Sequence, residues 1–161
     1  DWDYGDLFDV PDWLAMESGR PVLVVPKSGE IGTIGERVLV AWNNSRESAR
    51  AVYDALPILQ RANEVRVLCV EEPGKEATTG DRAGMEICAA LARQGVKCVA
   101  DHIRPSASFE PGALLLAQVE QHKCDLLVMG CYGRSRFREF ILGGATRHIL
   151  RNALVPVMLS H

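Results

Sequence analysis

The chain has 161 residues, 47% of them hydrophobic and 24% charged, which is typical of one globular domain and unlike a disordered segment. Its net charge of −3 argues against a nucleic-acid or anionic-membrane partner, because both require a broad cationic surface. No apolar run approaches the roughly 20 residues that cross a bilayer, and no basic-then-apolar leader opens the chain. The sequence therefore predicts a cytoplasmic protein.

The first elements predicted are a short helix over 13–19, a strand over 20–26 bracketed by prolines, and a glycine-bearing linker over 27–36. Apolar runs and helical spacing then alternate to the end of the chain. They predict strands over 37–42, 64–70, 96–103, 125–129 and 155–160, and helices over 45–61 (kinked at Pro57), 81–94, 112–122 and 146–152. This alternation predicts an α/β fold, an open five-stranded parallel sheet with helices on both faces.

Five cysteines are present, an odd number with no C-x-x-C pair, which favours free thiols in a reducing compartment over a disulfide framework. Most are expected to be small core residues. Cys131 differs because it lies in a glycine-rich stretch near arginines, where exposure and a lowered pKa would suit a thiol sensor, the less favoured interpretation.

That stretch, residues 130–146, has the sequence GCYGRSRFREFILGGAT and follows the apolar run over 125–129. A strand, a glycine turn and then a helix is the order that aims backbone N–H groups at a phosphate, and the arginines between the glycine pairs add positive charge. A G-x-x-G pair alone is common and often marks only a turn. The preceding strand favours an anion-binding loop, because ligands of open α/β sheets lie at the carboxyl ends of their strands.

The apolar segment over 20–25 repeats the pattern of the last strand over 155–160, and each follows a short helix. Chance similarity of two apolar strands is one explanation. The other is that the N-terminal segment is the closing strand of a preceding copy of the same domain. Because an apolar edge strand recruits another strand, we predict that 22–25 adds to the edge of the sheet beside 157–159.

The motif Gly130-x2-Gly133-x9-Gly143, followed by a helix and by Pro156 and Val157 on a strand, resembles the universal stress protein family. The resemblance covers roughly 36–161, and the segment over 38–45 is similar to the family's opening strand and turn. It implies a Rossmann-like domain over 36–161, preceded over 1–30 by a remnant of a first domain.

The resemblance also implies that the domain binds ATP, with or without Mg²⁺, and forms a homodimer or tandem-domain pair through its last strand. Two departures bear on binding. Asn43 stands where the family usually has Asp, and Gly144 stands where a hydroxyl residue usually follows the third glycine. The residues implied in nucleotide binding are Ala41, Asn43, Val70, Met129, Gly130, Gly133, Arg134, Gly143, Gly144, Ala145 and Thr146.

Three functions follow from this resemblance and from the residues. The leading one is a nucleotide-binding stress-response module that signals by occupancy and association. A slow ATPase or adenylyl-transfer enzyme is the second, although Asn43 removes a carboxylate and Asp125 is predicted at the wrong end of its strand. The third is a nucleotide-free dimerisation scaffold, which Gly144 and Asn43 favour and the three spaced glycines oppose. No catalytic motif is apparent, and the four histidines are scattered and expected mostly at surface or capping positions.

Overall fold

The computed structural model describes residues 10–27, 31–71, 78–105, 109–131 and 144–161. Within those ranges helices and strands alternate along the chain. In order they are α1 Val10–Glu17, β1 Val22–Val24, β2 Arg37–Trp42, α2 Arg46–Asp54, α3 Leu56–Leu59, β3 Glu64–Val70, α4 Thr78–Arg93, β4 Cys98–Ile103, α5 Pro111–Gln121, β5 Leu126–Gly130, α6 Gly144–Asn152 and β6 Val157–Ser160.

The strands form one sheet in the order β1-β6-β5-β2-β3-β4. Strands β2 to β6 are parallel to one another, which confirms the predicted parallel sheet. The count of five was one short, because β1 joins the edge of β6 as a sixth, antiparallel strand. Val22 pairs with Leu159 and Val24 with Val157, so the pairing predicted from the internal repeat is confirmed.

Helices cover both faces of the sheet, as the alternation predicted. On one face α2, α3 and α4 pack against apolar side chains that include Val40, Val67 and Val128. On the other face α1, α5 and α6 cover side chains that include Leu39, Leu127 and Leu159. Because successive strand residues point to opposite faces, adjacent positions such as Leu39 and Val40 contribute to different halves of the core.

The helix predicted over 45–61 is two helices, with the break at Ala55. Pro57 lies in the first turn of α3. A proline ring clashes with the carbonyl four residues before it, which here belongs to Tyr53, so the interruption falls upstream of the proline itself. The remaining predicted elements are present with ends shifted by up to three residues.

Among the described residues, no helix is long and apolar enough to cross a membrane.

Candidate functional site

The strand order reverses between β2 and β5. From β2 the chain proceeds through β3 to β4 on one side, then returns to place β5 and β6 on the other side of β2. The connections that leave β2 and β5 therefore diverge to opposite sides at the carboxyl edge of the sheet. In open α/β sheets a crevice forms at such a switch point, and ligands bind there.

Two of the predicted contact residues flank this switch point directly. Ala41 and Met129 are register partners on β2 and β5. Val70 lies on the adjoining strand β3, and these three side chains pack on the same face of the sheet. Ala41 and Val70 are half-buried and Met129 is 6% exposed, so they form an apolar wall at the carboxyl edge.

The turn after β2 leads directly into the N-terminus of α2. Asn43 Oδ1 accepts a hydrogen bond from Ser45 N at 3.2 Å, and Asn44 has a left-handed φ of 58°. Ser45 caps α2, and its Oγ accepts from Ser48 N at 3.1 Å. An amide oxygen makes the same turn as a carboxylate would, so Asn43 keeps the local geometry while removing one negative charge from the crevice.

The packing of α2 against β5 requires a glycine at position 130. A Cβ at this position would lie 2.5 Å from the backbone C of Glu47 and 2.6 Å from the N of Ser48. The first turn of α2 therefore rests directly on the end of β5. The sequence motif predicts close approach of a ligand at Gly130, which stays a prediction. The structure shows in addition the close approach of a helix.

Helix α6 begins at Gly144, so Ala145 and Thr146 lie in its first turn. Its N-terminus is at the carboxyl edge because it packs on the start of α5, the helix that follows the carboxyl end of β4. A Cβ at Gly112, in the first turn of α5, would lie 2.9 Å from the Ala145 carbonyl oxygen. The starts of α5 and α6 are thus packed together. Thr146 is only 4% exposed, which places its hydroxyl in the interior and not on an open surface.

The remaining predicted contacts, Gly133, Arg134 and Gly143, lie outside the described residues. The structure therefore brings Ala41, Asn43, Met129, Gly130 and the start of α6 to one edge of the sheet. It does not describe the loop that would join them.

Sequence reasoning missed Glu47, a carboxylate 6% exposed in the first turn of α2 beside Gly130. Its Oε1 lies 3.9 Å from Arg46 Nη2, a long contact with an exposed guanidinium. An acid in the first turn of a helix is ordinary because it complements the helix dipole, so the sequence carried no sign that this one is buried.

A second carboxylate lies just beyond Val70. Glu71 is held between His102 Nε2, 3.1 Å from Oε1, and Arg104 Nε, 2.8 Å from Oε2. His102 lies on β4, so this group ties the carboxyl ends of β3 and β4 together. The histidine has a structural partner at the site's margin, a role that the scatter of histidines in the sequence did not indicate.

The exposure that the less favoured interpretation of Cys131 requires is contradicted by the structure. Its side chain is fully buried, and its backbone N donates to Ser160 O at 2.9 Å. Its Sγ also lies 3.4 Å from the same oxygen. Cys131 continues the packing of β5 against β6, so it lacks the exposure that a thiol sensor needs. The five cysteines are free thiols, as predicted.

Within the described part of the chain, no group of three or more His, Cys, Asp or Glu side chains is placed to hold a metal ion.

An open, mostly parallel sheet with a switch point and helix N-termini at its carboxyl edge defines a Rossmann-like domain. Residues 35–161 match the Universal stress protein family, and the chain belongs to that family. No curated protein matches the chain significantly.

Solved structures share the fold. A universal stress protein from Archaeoglobus fulgidus DSM 4304 is 21% identical, with a TM-score of 0.67 over 87% of this chain and 49% of that one. This chain thus spans about half the length of that protein. A universal stress protein from Archaeoglobus fulgidus, solved in complex with dAMP, is 16% identical with a TM-score of 0.58, covering 79% and 98% of the two chains. A family protein from Arabidopsis thaliana, solved with AMP bound, is 20% identical with a TM-score of 0.53, covering 77% and 90%.

Proposed function

We propose that this chain binds an adenine nucleotide, ATP or a close relative, and acts in stress response through occupancy and association without fast chemistry. The observation that carries the proposal is the reversal of strand order between β2 and β5, with the N-terminus of α2 beside it. Structures of the family in complex with AMP, dAMP and cAMP support an adenine nucleotide as the ligand class.

The proposed binding mode divides the nucleotide between two surfaces. The base and ribose pack on the apolar wall of Ala41, Val70 and Met129, because an aromatic base gains most from leaving water. The phosphates face backbone N–H groups of the glycine stretch and of the start of α6, and Arg134 adds a charge-assisted contact. Gly144, Ala145 and Thr146 lie in that first helical turn.

The two departures from the family pattern affect the phosphates more than the base. Without a hydroxyl at Gly144, one hydrogen bond to a charged group is lost, which costs about 1.5–3 kcal/mol if nothing replaces it. Asn43 acts in the opposite direction, because an amide repels phosphate less than a carboxylate does. The replacement of Asp by Asn43 weakens the binding of Mg²⁺ instead, because the ion loses a carboxylate ligand that it prefers. We therefore expect ATP affinity that depends only weakly on Mg²⁺.

Replacing Gly133 or Gly143 with Val should abolish ATP binding while leaving the domain folded. A branched side chain prevents the close backbone approach that a phosphate cradle needs. The measurement is calorimetric titration with ATP, with and without Mg²⁺, alongside circular dichroism. Gly32→Val is the matched control, because a Cβ at Gly32 meets nothing within 4 Å. Unchanged affinity in a folded Gly143→Val variant would show that the glycine stretch does not bind the phosphates. If the unmodified chain does not bind ATP, the nucleotide-free scaffold is favoured.

The same titration mixture separates binding from catalysis. A steady release of inorganic phosphate or of AMP that stops in Gly143→Val would favour the slow enzyme over the binding module. ATP recovered intact after many binding lifetimes supports signalling by occupancy.

We also propose that the chain associates, as a homodimer or with a second domain of the same kind, at the edge where β1 covers β6. Exposed apolar side chains gather near this edge, including Leu14, Met16, Leu23 and Val25, each 39% to 50% exposed. The domain assignment, a remnant over 1–30 and a stress-protein domain over 36–161, belongs to this proposal, as does a cytoplasmic location. A remnant that covers β6 only in part leaves apolar surface for a partner.

Deleting residues 1–30 should raise dimer formation or cause aggregation, because it exposes the backbone donors and acceptors of β6 that β1 now satisfies. Sedimentation velocity over a range of concentrations measures this. A shorter deletion, of residues 1–9, keeps α1 and β1 and should behave as the full chain does. A 1–30 deletion that stays monomeric and equally stable would show that β1 contributes nothing to the protection of this edge.

A further inference from the structure

Two cysteines far from the switch point meet where α4 packs on the edge strand of the sheet. Cys88 lies on α4, and Cys98 is the first residue of β4. The Cys98 Sγ donates to the Cys88 carbonyl oxygen at 3.8 Å, and both side chains pack against the same half of the core. The Cys98 thiol therefore lies against the residue that carries the second thiol.

A glycine allows this contact. Gly84 precedes Cys88 by one helical turn, and a Cβ there would lie 3.1 Å from Cys69 Sγ and 3.3 Å from Ala100 Cβ. Without a side chain at Gly84, α4 lies close to the sheet along the face that carries Cys98 and Ala100. This close approach brings Cys88 on the helix next to the start of β4.

The contact is also accessible. Cys88 and Cys98 are both half-buried. Both line a cavity of about 610 Å³ whose other walls include Ala92, Val96 and Val99. Val99, next to Cys98 on the edge strand, is 53% exposed. A small oxidant can thus reach the thiols without unfolding of the domain.

We propose that Cys88 and Cys98 form an oxidative modification site, at which a hydroperoxide converts the two thiols into a disulfide that joins α4 to β4. This inference is independent of nucleotide binding, because the pair lies at the amino end of β4, whereas the nucleotide crevice lies at the carboxyl edge of the sheet.

The reaction balances in two steps. The Cys98 thiolate attacks one peroxide oxygen, so that an S–O bond forms, the O–O bond breaks, and an alcohol or water leaves with the proton. The Cys88 sulfur then attacks Cys98 Sγ, an S–S bond forms, the S–O bond breaks, and hydroxide leaves as water with the Cys88 proton. The two thiols together supply the two electrons that reduce the peroxide.

The order of attack follows from the surroundings of Cys88. Burial, and then its hydrogen bond with Cys98, raise the pKa of the Cys88 thiol to about 12. Because the thiolate is the nucleophile, Cys88 is a poor first attacker at neutral pH. It remains a protonated donor beside Cys98 and supplies its proton to the departing hydroxide. Cys98 is therefore assigned the attack and Cys88 the second step.

The test treats the full reduced chain with hydrogen peroxide, blocks the remaining thiols with an alkylating agent, and maps the peptides by mass spectrometry without reduction. We expect one linked peptide pair that contains Cys88 and Cys98 and a mass loss of two hydrogens. The linkage should raise the Tm by about 5 °C, because it closes a loop between α4 and β4, and reductant should reverse that shift.

Single substitutions separate the two roles. Cys98→Ser should lose both the linkage and the Tm shift. Cys88→Ser should lose the linkage but leave a sulfenic acid at Cys98 that a dicarbonyl probe traps. Cys124→Ser is the matched control, since burial also raises the pKa of that thiol, to about 11, yet it packs on the opposite face of the sheet. A Cys69–Cys88 linkage, no linkage at all, or peroxide-driven unfolding before any linkage would each overturn the proposal.

Discussion

Replacing Asp125 with Ala should lower the free energy of unfolding by about 2 kcal/mol, because one carboxylate holds three segments together. It accepts from Thr33 Oγ1 at 2.7 Å and from the backbone N of Gly35, Glu36 and Arg37 at 2.9 to 3.1 Å. These bonds fasten the linker and the start of β2 to the start of β5. Alanine leaves three backbone donors with only water as a substitute.

Urea unfolding followed by circular dichroism measures this change. Glu86→Ala is the control, since it removes an exposed carboxylate paired with Arg82 one turn away on α4. Such a pair contributes only about 0.5 kcal/mol. If Asp125→Ala unfolds at the same urea concentration as the control, then the linker is not fastened by this carboxylate.

The pH dependence of the Asp125 effect has a definite sign. Burial acts to raise the pKa of Asp125, but hydrogen bonds from Arg37 N, Thr33, Glu36 N and Gly35 N outweigh it and hold that pKa below its ordinary value of 3.8. The carboxylate therefore contributes fully above pH 3.8, and its contribution is lost as the pH falls through the folded-state pKa. The stability difference between the native chain and Asp125→Ala should shrink below pH 3.8.

The parallel sheet could be predicted from the sequence, because the spacing of apolar residues in each segment and the order of the segments can be read from the residues themselves. Buried parallel strands are continuous apolar runs, amphipathic helices lie between them, and only a few topologies connect such a series. The place of β1 beside β6 was also predictable, since the apolar segment over 20–25 matches the end of the chain. Asp125 was correctly expected at the end of its strand remote from the crevice.

Errors arose where the outcome depends on what approaches a residue in space. Cys131 follows a glycine and precedes arginines in the sequence, yet pairing with Ser160 buries it. Glu47 occupies a normal helical position for an acid, and only the approach of β5 encloses it. Apolar pattern reports which face of an element is buried. It does not report which polar side chains a neighbouring element will cover.

At Gly130 a helix also approaches closely in space, which the sequence motif did not indicate. Gly130→Ala should lower the free energy of unfolding by about 3 kcal/mol, and Gly130→Val by more. The atoms that a Cβ would meet are backbone atoms of Glu47 and Ser48, 2.5 and 2.6 Å away, which cannot rotate aside as a side chain can. To admit the methyl group, α2 must move away from β5 or the end of β5 must bend.

Urea unfolding of Gly130→Ala, with Gly32→Ala as the matched control, measures this cost. The control makes the same chemical change where a Cβ meets nothing within 4 Å, so its stability should change by no more than about 0.5 kcal/mol. ATP affinity should fall together with stability in Gly130→Ala, because α2 carries one side of the proposed crevice, whereas Gly143→Val should lose affinity alone. A Gly130→Ala variant as stable as the native chain would mean that α2 does not rest on the end of β5.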